Sequence, residues 1–162
     1  MARHRRPGRA RPRARAASVL APAGAVALAA LGAAPVAAAA PATASPSCTD
    51  TADVCVDLSE HRAWLVQDGR ATSAPMPITS GIPEDPTPTG TTTVQRKERH
   101  HVSKESGRDT PMPYSIFFDD EGRAFHTGST TRPSHGCIHL DPADARAVFG
   151  TLEPGDEVQI RR

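Results

Sequence analysis

The stretch FHTGSTTRPSHGCIHL, residues 125–140, holds three of the seven histidines and one of the three cysteines of this 162-residue chain. A strand pattern ends at His126. A helix is predicted to begin after Asp141, because aspartate is a favourable N-cap and Pro142 suits the first helical position. Cys137 is therefore expected on a loop or at a strand end, where reactive groups are commonly displayed.

The first 44 residues have the composition of a secretory signal peptide. Residues 1–16 carry seven arginines and no acidic residue, an Ala-rich segment follows to residue 40, and an Ala-Thr-Ala pattern ends at residue 44. Prolines interrupt the apolar segment, so this segment is not expected to form a stable membrane span. No stable span is expected in the protein after signal cleavage either. The chain is predicted to be exported, to the cell wall or the medium, with a signal peptide at 1–44 and a short N-terminal extension at 45–53.

The charge of the chain changes when the signal is removed. Residues 45–162 keep twelve Lys and Arg against eighteen Asp and Glu, a net charge of about −6. A protein that binds nucleic acid usually presents a strongly basic surface, so this composition excludes nucleic acid as an expected partner.

The three cysteines suggest one disulfide and one thiol. Cys48 and Cys55 are close in sequence, whereas Cys137 is about eighty residues further on. A Cys48–Cys55 disulfide would staple a small exported domain, although a reduced state or another pairing stays open. A leftover thiol in an oxidising compartment is a liability unless it is used.

Residues 54–162 read as one mostly β domain. Alternating or β-branched runs predict strands near 54–58, 63–67, 71–80, 91–95, 114–118, 123–126 and 156–160, and a helix near 142–149. Gly150 is expected to stop that helix. Residues 96–110 are polar, and His100 and His101 are interpreted there as part of a solvated strand end or loop, since adjacent strand residues cannot chelate one ion together.

The residues around Cys137 suggest acyl transfer. A thiol attacks a carbonyl as the thiolate and needs a base, and His126 is far enough upstream for the chain to fold back and reach the sulfur. His135, two residues from the cysteine, is a more cramped candidate. The bare backbone at Gly136 could aim amide groups at an oxyanion, and an imidazole could be oriented by Ser134 or Thr127.

Residues 134–140, SHGCIHL, closely resemble the S-H-G-C-[IV]-R-[LM] signature of L,D-transpeptidase (YkuD-type) catalytic domains. Other segments resemble that family in the same order along the chain. They are an opening hairpin at 56–66, ITSG at 78–81 with TPTG at 87–90, PMPY at 111–114, the Phe-His pair at 125–126 and the closing strand at 155–160.

The resemblance implies an L,D-transpeptidase-like β-sandwich over residues 54–162, with one short helix after the catalytic cysteine. It implies 3→3 crosslinking of peptidoglycan stem peptides through a cysteine thioester with release of terminal D-alanine, by a monomer that needs no metal or cofactor. The implied site residues are Cys137 as nucleophile, His126 as base with backbone near Thr127 fixing its tautomer, His135 and Ser134 lining the site, and Tyr114 and His139 toward substrate.

One departure keeps alternatives open. His139 stands where most members of the family carry arginine, and a titratable ring is not equivalent to a permanently charged guanidinium. The other readings are an L,D-carboxypeptidase that uses water, a wall-binding protein without turnover, a structural thiol at Cys137, and a zinc site built from His126, His135, Cys137 and His139.

Overall fold

The computed structural model of the protein describes residues 47–104 and 107–162. The predicted signal peptide lies outside these residues. Within them the chain forms one helix, α1 (Pro142–Thr151), and ten strands: β1 (Val54–Asp57), β2 (Arg62–Gln67), β3 (Arg70–Ala71), β4 (Met76–Pro77), β5 (Gly90–Thr93), β6 (Arg96–Ser103), β7 (Thr110–Phe117), β8 (Ala124–Thr127), β9 (Ile138–Leu140) and β10 (Glu157–Arg161).

The strands form two sheets, which confirms the mainly β expectation. The first sheet has the order β3-β2-β1-β10-β5, with β4 pairing to β2, and the second has the order β6-β7-β8-β9. Most neighbouring strands are antiparallel, but β1 pairs in parallel with β10, and β8 pairs in parallel with β9. The second parallel pair joins the two ends of the stretch that holds Cys137.

The main core lies between the two sheets and α1. Val54 and Val56 of the first sheet pack in one cluster with Phe125 of the second sheet and Val148 of α1. Apolar residues alternate along these strands because successive side chains point to opposite faces. The opposite face of the second sheet carries a separate cluster of side chains, outside this core.

Two strand predictions need correction. The polar segment from residue 96 forms an eight-residue strand, β6, which pairs along its length with β7. Its side chains are polar because it is an edge strand that is largely exposed, although Arg96 lies 3.5 Å from the ring centroid of Phe117. The predicted return strand at 71–80 is reduced to the short strands β3 and β4, in keeping with prolines at 75 and 77.

The helix begins as predicted and ends later. Asp141 accepts hydrogen bonds from the amides of Ala143 and Asp144 at 2.8 and 3.0 Å, as an N-cap does. Gly150 lies inside the helix, which continues because the buried Leu152 packs in the core and its amide bonds to Val148 O. No helix in the described part of the chain has the length and apolarity needed to cross a membrane.

A disulfide joins the segment before β1 to β1, the middle strand of the first sheet. The sulfurs of Cys48 and Cys55 are 2.04 Å apart, which is the pairing that the sequence favoured. Cys55 is almost fully buried and forms a small apolar cluster with Trp64 and Val66, against which Cys48 packs. The bridge therefore fastens the segment before β1 to the sheet.

We expect the double substitution Cys48→Ala and Cys55→Ala to lower the free energy of unfolding by about 2 kcal/mol, because the disulfide restricts a short loop of the unfolded chain. Urea unfolding of the two forms measures the difference. Equal unfolding midpoints would show that the bridge contributes no stability.

Candidate active site

Cys137 lies on the outer face of the second sheet, the face that turns away from the main core. Neighbouring residues of β7 point to opposite faces. Ile116 packs in the main core, whereas Phe117 forms a separate cluster with Met112 and Ala124, and the partly buried Cys137 packs against that cluster. The thiol stands just before β9 and is not part of the disulfide.

His126 shares that outer face. It follows Ala124 by two residues on β8, and it is paired in register with His139 of β9. His126 as a whole residue is 6% exposed. Its Nδ1 lies 2.9 Å from the carbonyl oxygen of Thr127, so Nδ1 carries the proton and donates it to that carbonyl. The Nε2 atom is left as the proton acceptor.

Burial keeps His126 neutral. Desolvation lowers its pKa from the usual 6.5 to about 4, and the nearby His139 and His101 act in the same direction. The hydrogen bond to Thr127 opposes the shift only in part. At neutral pH the ring is therefore an unprotonated base.

His139 packs directly against this base. The two ring centroids are 4.8 Å apart in an edge-on arrangement. The Nδ1 atom of His139 lies 3.2 Å from Ser129 O and 3.3 Å from the hydroxyl of Thr79, and burial lowers the pKa of the ring. Gly128 covers the ring so closely that a Cβ there would lie 2.5 Å from the ring carbon Cγ. His139 thus links the loop after β8 to His126.

Gly136 occupies a position that only glycine fits. Its φ is +92°, in the left-handed region, and a Cβ would lie 2.6 Å from Nε of Arg123. Arg123 is held there by carboxylates of Asp119 at 3.1 Å and Glu121 at 2.8 Å. No sequence pattern points to Arg123 except its four-residue spacing from Asp119.

A buried threonine ties the loop before Cys137 to the loop before β5. The hydroxyl of Thr87, which is 3% exposed, donates to Gly136 O at 2.9 Å and accepts from Gly81 N at 2.9 Å. Thr87 was noticed only as part of the TPTG resemblance. Its contact with a residue 49 positions away in the sequence could not be read from a local pattern.

Ser134, Thr127 and His135, which were also expected at the site, make different kinds of contact. Ser134 is buried, and its hydroxyl donates to the carbonyl of Cys137 instead of to an imidazole. Thr127 orients His126 with its backbone carbonyl, while its buried hydroxyl has no partner among the described residues. His135 points outward with a side chain that is 81% exposed, and its Nδ1 lies 3.8 Å from a carboxylate oxygen of Asp85.

Two other aromatic side chains, those of His101 and Tyr114, make ring contacts that the sequence did not reveal. His101 packs edge-on against Phe117 with 5.0 Å between ring centroids, and its Nδ1 lies 2.7 Å from Glu98. It therefore belongs to the same face as Cys137, although the sequence offered only a solvated position. Tyr114, for which the resemblance implied a contact with substrate, is partly buried against the main core and packs edge-on with Phe149 of α1.

The histidines and Cys137 do not assemble into a ligand set. Among residues 47–104 and 107–162, no group of three or more His, Cys, Asp or Glu side chains is arranged to hold a metal ion. The zinc alternative would require the outward His135 and the buried His126 to converge, which this arrangement does not bring about.

The fold and the sequence both match one family. The model of the L,D-transpeptidase catalytic domain, YkuD, matches residues 51–160. The chain therefore belongs to the L,D-transpeptidase catalytic domain family. It is 30% identical over 118 residues to the probable L,D-transpeptidase 3 of Mycobacterium tuberculosis, a match covering 62% of this chain and 42% of that protein.

Solved structures of L,D-transpeptidases resemble the fold. One from Stackebrandtia nassauensis gives a TM-score of 0.62 at 32% identity, covering 67% of this chain and 54% of that one. Another from Mycobacterium tuberculosis gives 0.61 at 28% identity, covering 66% and 56%. The chain thus spans less than half of its curated relative and slightly more than half of these structures.

Two threonines provide a matched test of the site. Thr87→Val should lower the free energy of unfolding by about 1–3 kcal/mol, because it removes the partner of the buried carbonyl of Gly136 and of the partly buried amide of Gly81. Thr127→Val should leave stability equal or slightly higher, because it removes a buried hydroxyl that has no partner. Urea unfolding compares the two. Equal losses of stability would contradict the assigned hydrogen bonds.

The lowered pKa of His126 predicts a stability change with pH. Between the unfolded value of 6.5 and the folded value of about 4, the unfolded chain binds a proton that the folded chain does not. The free energy of unfolding should therefore fall as pH decreases through this range, by about 3 kcal/mol for this group. His139, whose pKa is also lowered, contributes in the same direction.

Urea unfolding at pH values from 7 down to 4 measures this slope. His126→Gln should reduce it, whereas the same substitution at the exposed His100 should not. A slope that is unchanged by His126→Gln would show that the ring does not titrate as its burial requires.

Proposed function

We propose that this chain is a peptidoglycan L,D-transpeptidase that works through a thioester at Cys137. The observation that carries the proposal is the shared sheet face: a thiol just before β9 and a buried, neutral His126 on β8, with its Nδ1 committed to Thr127 O. Family membership supplies the class of reaction. The signal peptide predicted at 1–44 supports work outside the cytoplasm.

In the first half-reaction the sulfur of Cys137 attacks the carbonyl carbon of the third, L-centre residue of a tetrapeptide stem. Its proton passes to Nε2 of His126. The oxyanion accepts hydrogen bonds from backbone amides of the loop at Gly136 and Cys137. The tetrahedral intermediate collapses, the C–N bond breaks, and D-alanine leaves with the proton from His126.

In the second half-reaction the side-chain amine of another stem attacks the thioester. His126 accepts a proton from the amine and returns one to the sulfur as the C–S bond breaks. The product joins two third-position residues, a 3→3 crosslink. If water attacks instead, the same acyl-enzyme yields a tripeptide, and the protein is an L,D-carboxypeptidase.

The supporting residues have separate roles in this proposal. Gly136, with Thr87 and Arg123 around it, fixes the loop whose amides face the oxyanion. Ser134 holds the carbonyl of Cys137, and His139 keeps His126 in place instead of contacting the substrate. His135, being exposed, is available to the substrate at the rim of the site.

The decisive experiment incubates the purified protein and its Cys137→Ala variant with a disaccharide-tetrapeptide and follows the products by mass spectrometry. We expect the wild type to form a dimer that lacks one D-alanine, and a mass adduct on Cys137 during turnover. The variant should form neither, because it has no nucleophile.

One control variant accompanies this experiment, and the products separate the possible outcomes. Thr127→Val keeps the carbonyl that orients His126 and should stay active, which shows that substitutions beside the site are tolerated. A tripeptide product without dimer would establish the carboxypeptidase. If the wild type neither turned over nor formed an adduct, the assignment of Cys137 as nucleophile would be wrong.

A further inference from the structure

A second polar cluster lies where β6, β7 and α1 meet. The guanidinium of Arg99 on β6 is 5.2 Å from the ring centroid of Tyr114 on β7, and that of Arg146 on α1 is 5.8 Å from it. Arg99 also lies 5.3 Å from the ring of Phe149, which packs edge-on against Tyr114 at 5.6 Å. Two cations from different elements thus converge on one phenol.

These two cations differ from the others nearby. Arg96 pairs with Glu98 at 3.0 Å, and Lys97 pairs with Glu153 at 3.1 Å. Within the part of the chain that the structure describes, Arg99 and Arg146 have no carboxylate within 4.0 Å. Both are exposed, so their positive charge is available to a ligand even though residues 45–162 are acidic overall.

The backbone at Tyr114 is strained in a way that keeps the ring in this cluster. Its φ is +60°, in the left-handed region that a bulky aromatic residue rarely adopts, and such strain costs about 1–3 kcal/mol. The residue lies within β7 but is absent from its pairing register with β6, and its ring packs on the side of α1, away from the face that carries Cys137. Strain that the surrounding structure holds in place is a common sign of a functional position.

We propose that Arg99, Tyr114 and Arg146 form a binding site for a carboxylate, separate from the thiol at Cys137. A guanidinium presents two parallel N–H donors that match the two oxygens of a carboxylate, and the phenol adds a third donor. The proposal rests on the proposed function in one respect: peptidoglycan stems carry free carboxylates, and they are the expected source. The site would hold a part of the polymer other than the bond that Cys137 cleaves.

The two arginines already affect the pKa of the Tyr114 phenol. The pKa of Tyr114 is lowered, first by its hydrogen bond with Arg146 and then by the charges of Arg146 and Arg99. A carboxylate bound between the guanidiniums would offset their charge and raise this pKa toward its usual value. Tyr114 is the single tyrosine of the chain, so phenolate absorbance reports on this site alone.

The test titrates the phenolate absorbance of the full-length Cys137→Ala protein, which lacks the proposed nucleophile and so should not turn the peptide over. The probes are acetate, an N-acetylated stem tetrapeptide, the same peptide with its carboxylates converted to carboxamides, and inorganic phosphate. We expect acetate and the free-acid peptide to raise the pKa of Tyr114, and the carboxamide peptide to leave it unchanged.

Matched variants test whether the carboxylate-dependent shift in the pKa of Tyr114 depends on Arg99 and Arg146. Arg99→Gln and Arg146→Gln should each lower the affinity for carboxylate roughly tenfold, as read from the concentration dependence of the pKa shift. A loss of about tenfold is that expected for one charged hydrogen bond. Arg70→Gln removes the same charge from β3, in the other sheet, and should bind as the parent does. In a protein with Cys137 restored, Arg99→Gln should raise KM for peptidoglycan and leave kcat unchanged.

Several results would overturn the proposal. They are a pKa of Tyr114 that shifts with no carboxylate, one that shifts equally with the carboxamide peptide, and one that shifts with phosphate and with no carboxylate. An equal loss of carboxylate affinity in Arg70→Gln would also overturn it. None of them depends on turnover. A protein that fails to crosslink stems but shows the carboxylate-specific shift would contradict the proposed function and retain the carboxylate site.

Discussion

The parallel pairing of β8 with β9 is the constraint on which the site depends. It places His126 beside His139, and it makes residues 128–137 a crossover between two adjacent strands that contains no helix. Parallel strands usually need a longer, helical connection. A connection this short must be held by contacts from outside itself, and it brings Cys137 to the same sheet face as its proposed base.

Those outside contacts come from distant parts of the sequence. Thr87 bonds to Gly136 from the loop before β5, Arg123 covers the same glycine from the turn before β8, and Thr79 exchanges backbone hydrogen bonds with His139. Two of these contacts fix the crossover at Gly136, and the third fixes β9 just after it. The geometry around the thiol is therefore a property of the whole domain, and a change at Thr87 can affect Cys137 without touching it.

Much of this could be predicted from local sequence patterns. The β class, the N-cap at Asp141, the Cys48–Cys55 pairing and the likeness of residues 134–140 to a family signature all rest on short-range signals. The packing of His101 and of Tyr114 could not be predicted, for a physical reason. Strand position alone does not reveal that His101 packs on Phe117, or that a left-handed φ turns Tyr114 toward α1.

The burial of His126 constrains the chemistry that the family resemblance implies. A ring that holds a proton only below about pH 4 is a weak base toward a thiol, whose usual pKa is about 8.5. A stable thiolate–imidazolium pair is therefore not expected before substrate binds, and the proton should move as the sulfur attacks. His139 fits this scheme, because a neutral ring packs against a desolvated base at no charge penalty, whereas a guanidinium would keep its charge and depress the pKa of His126 further.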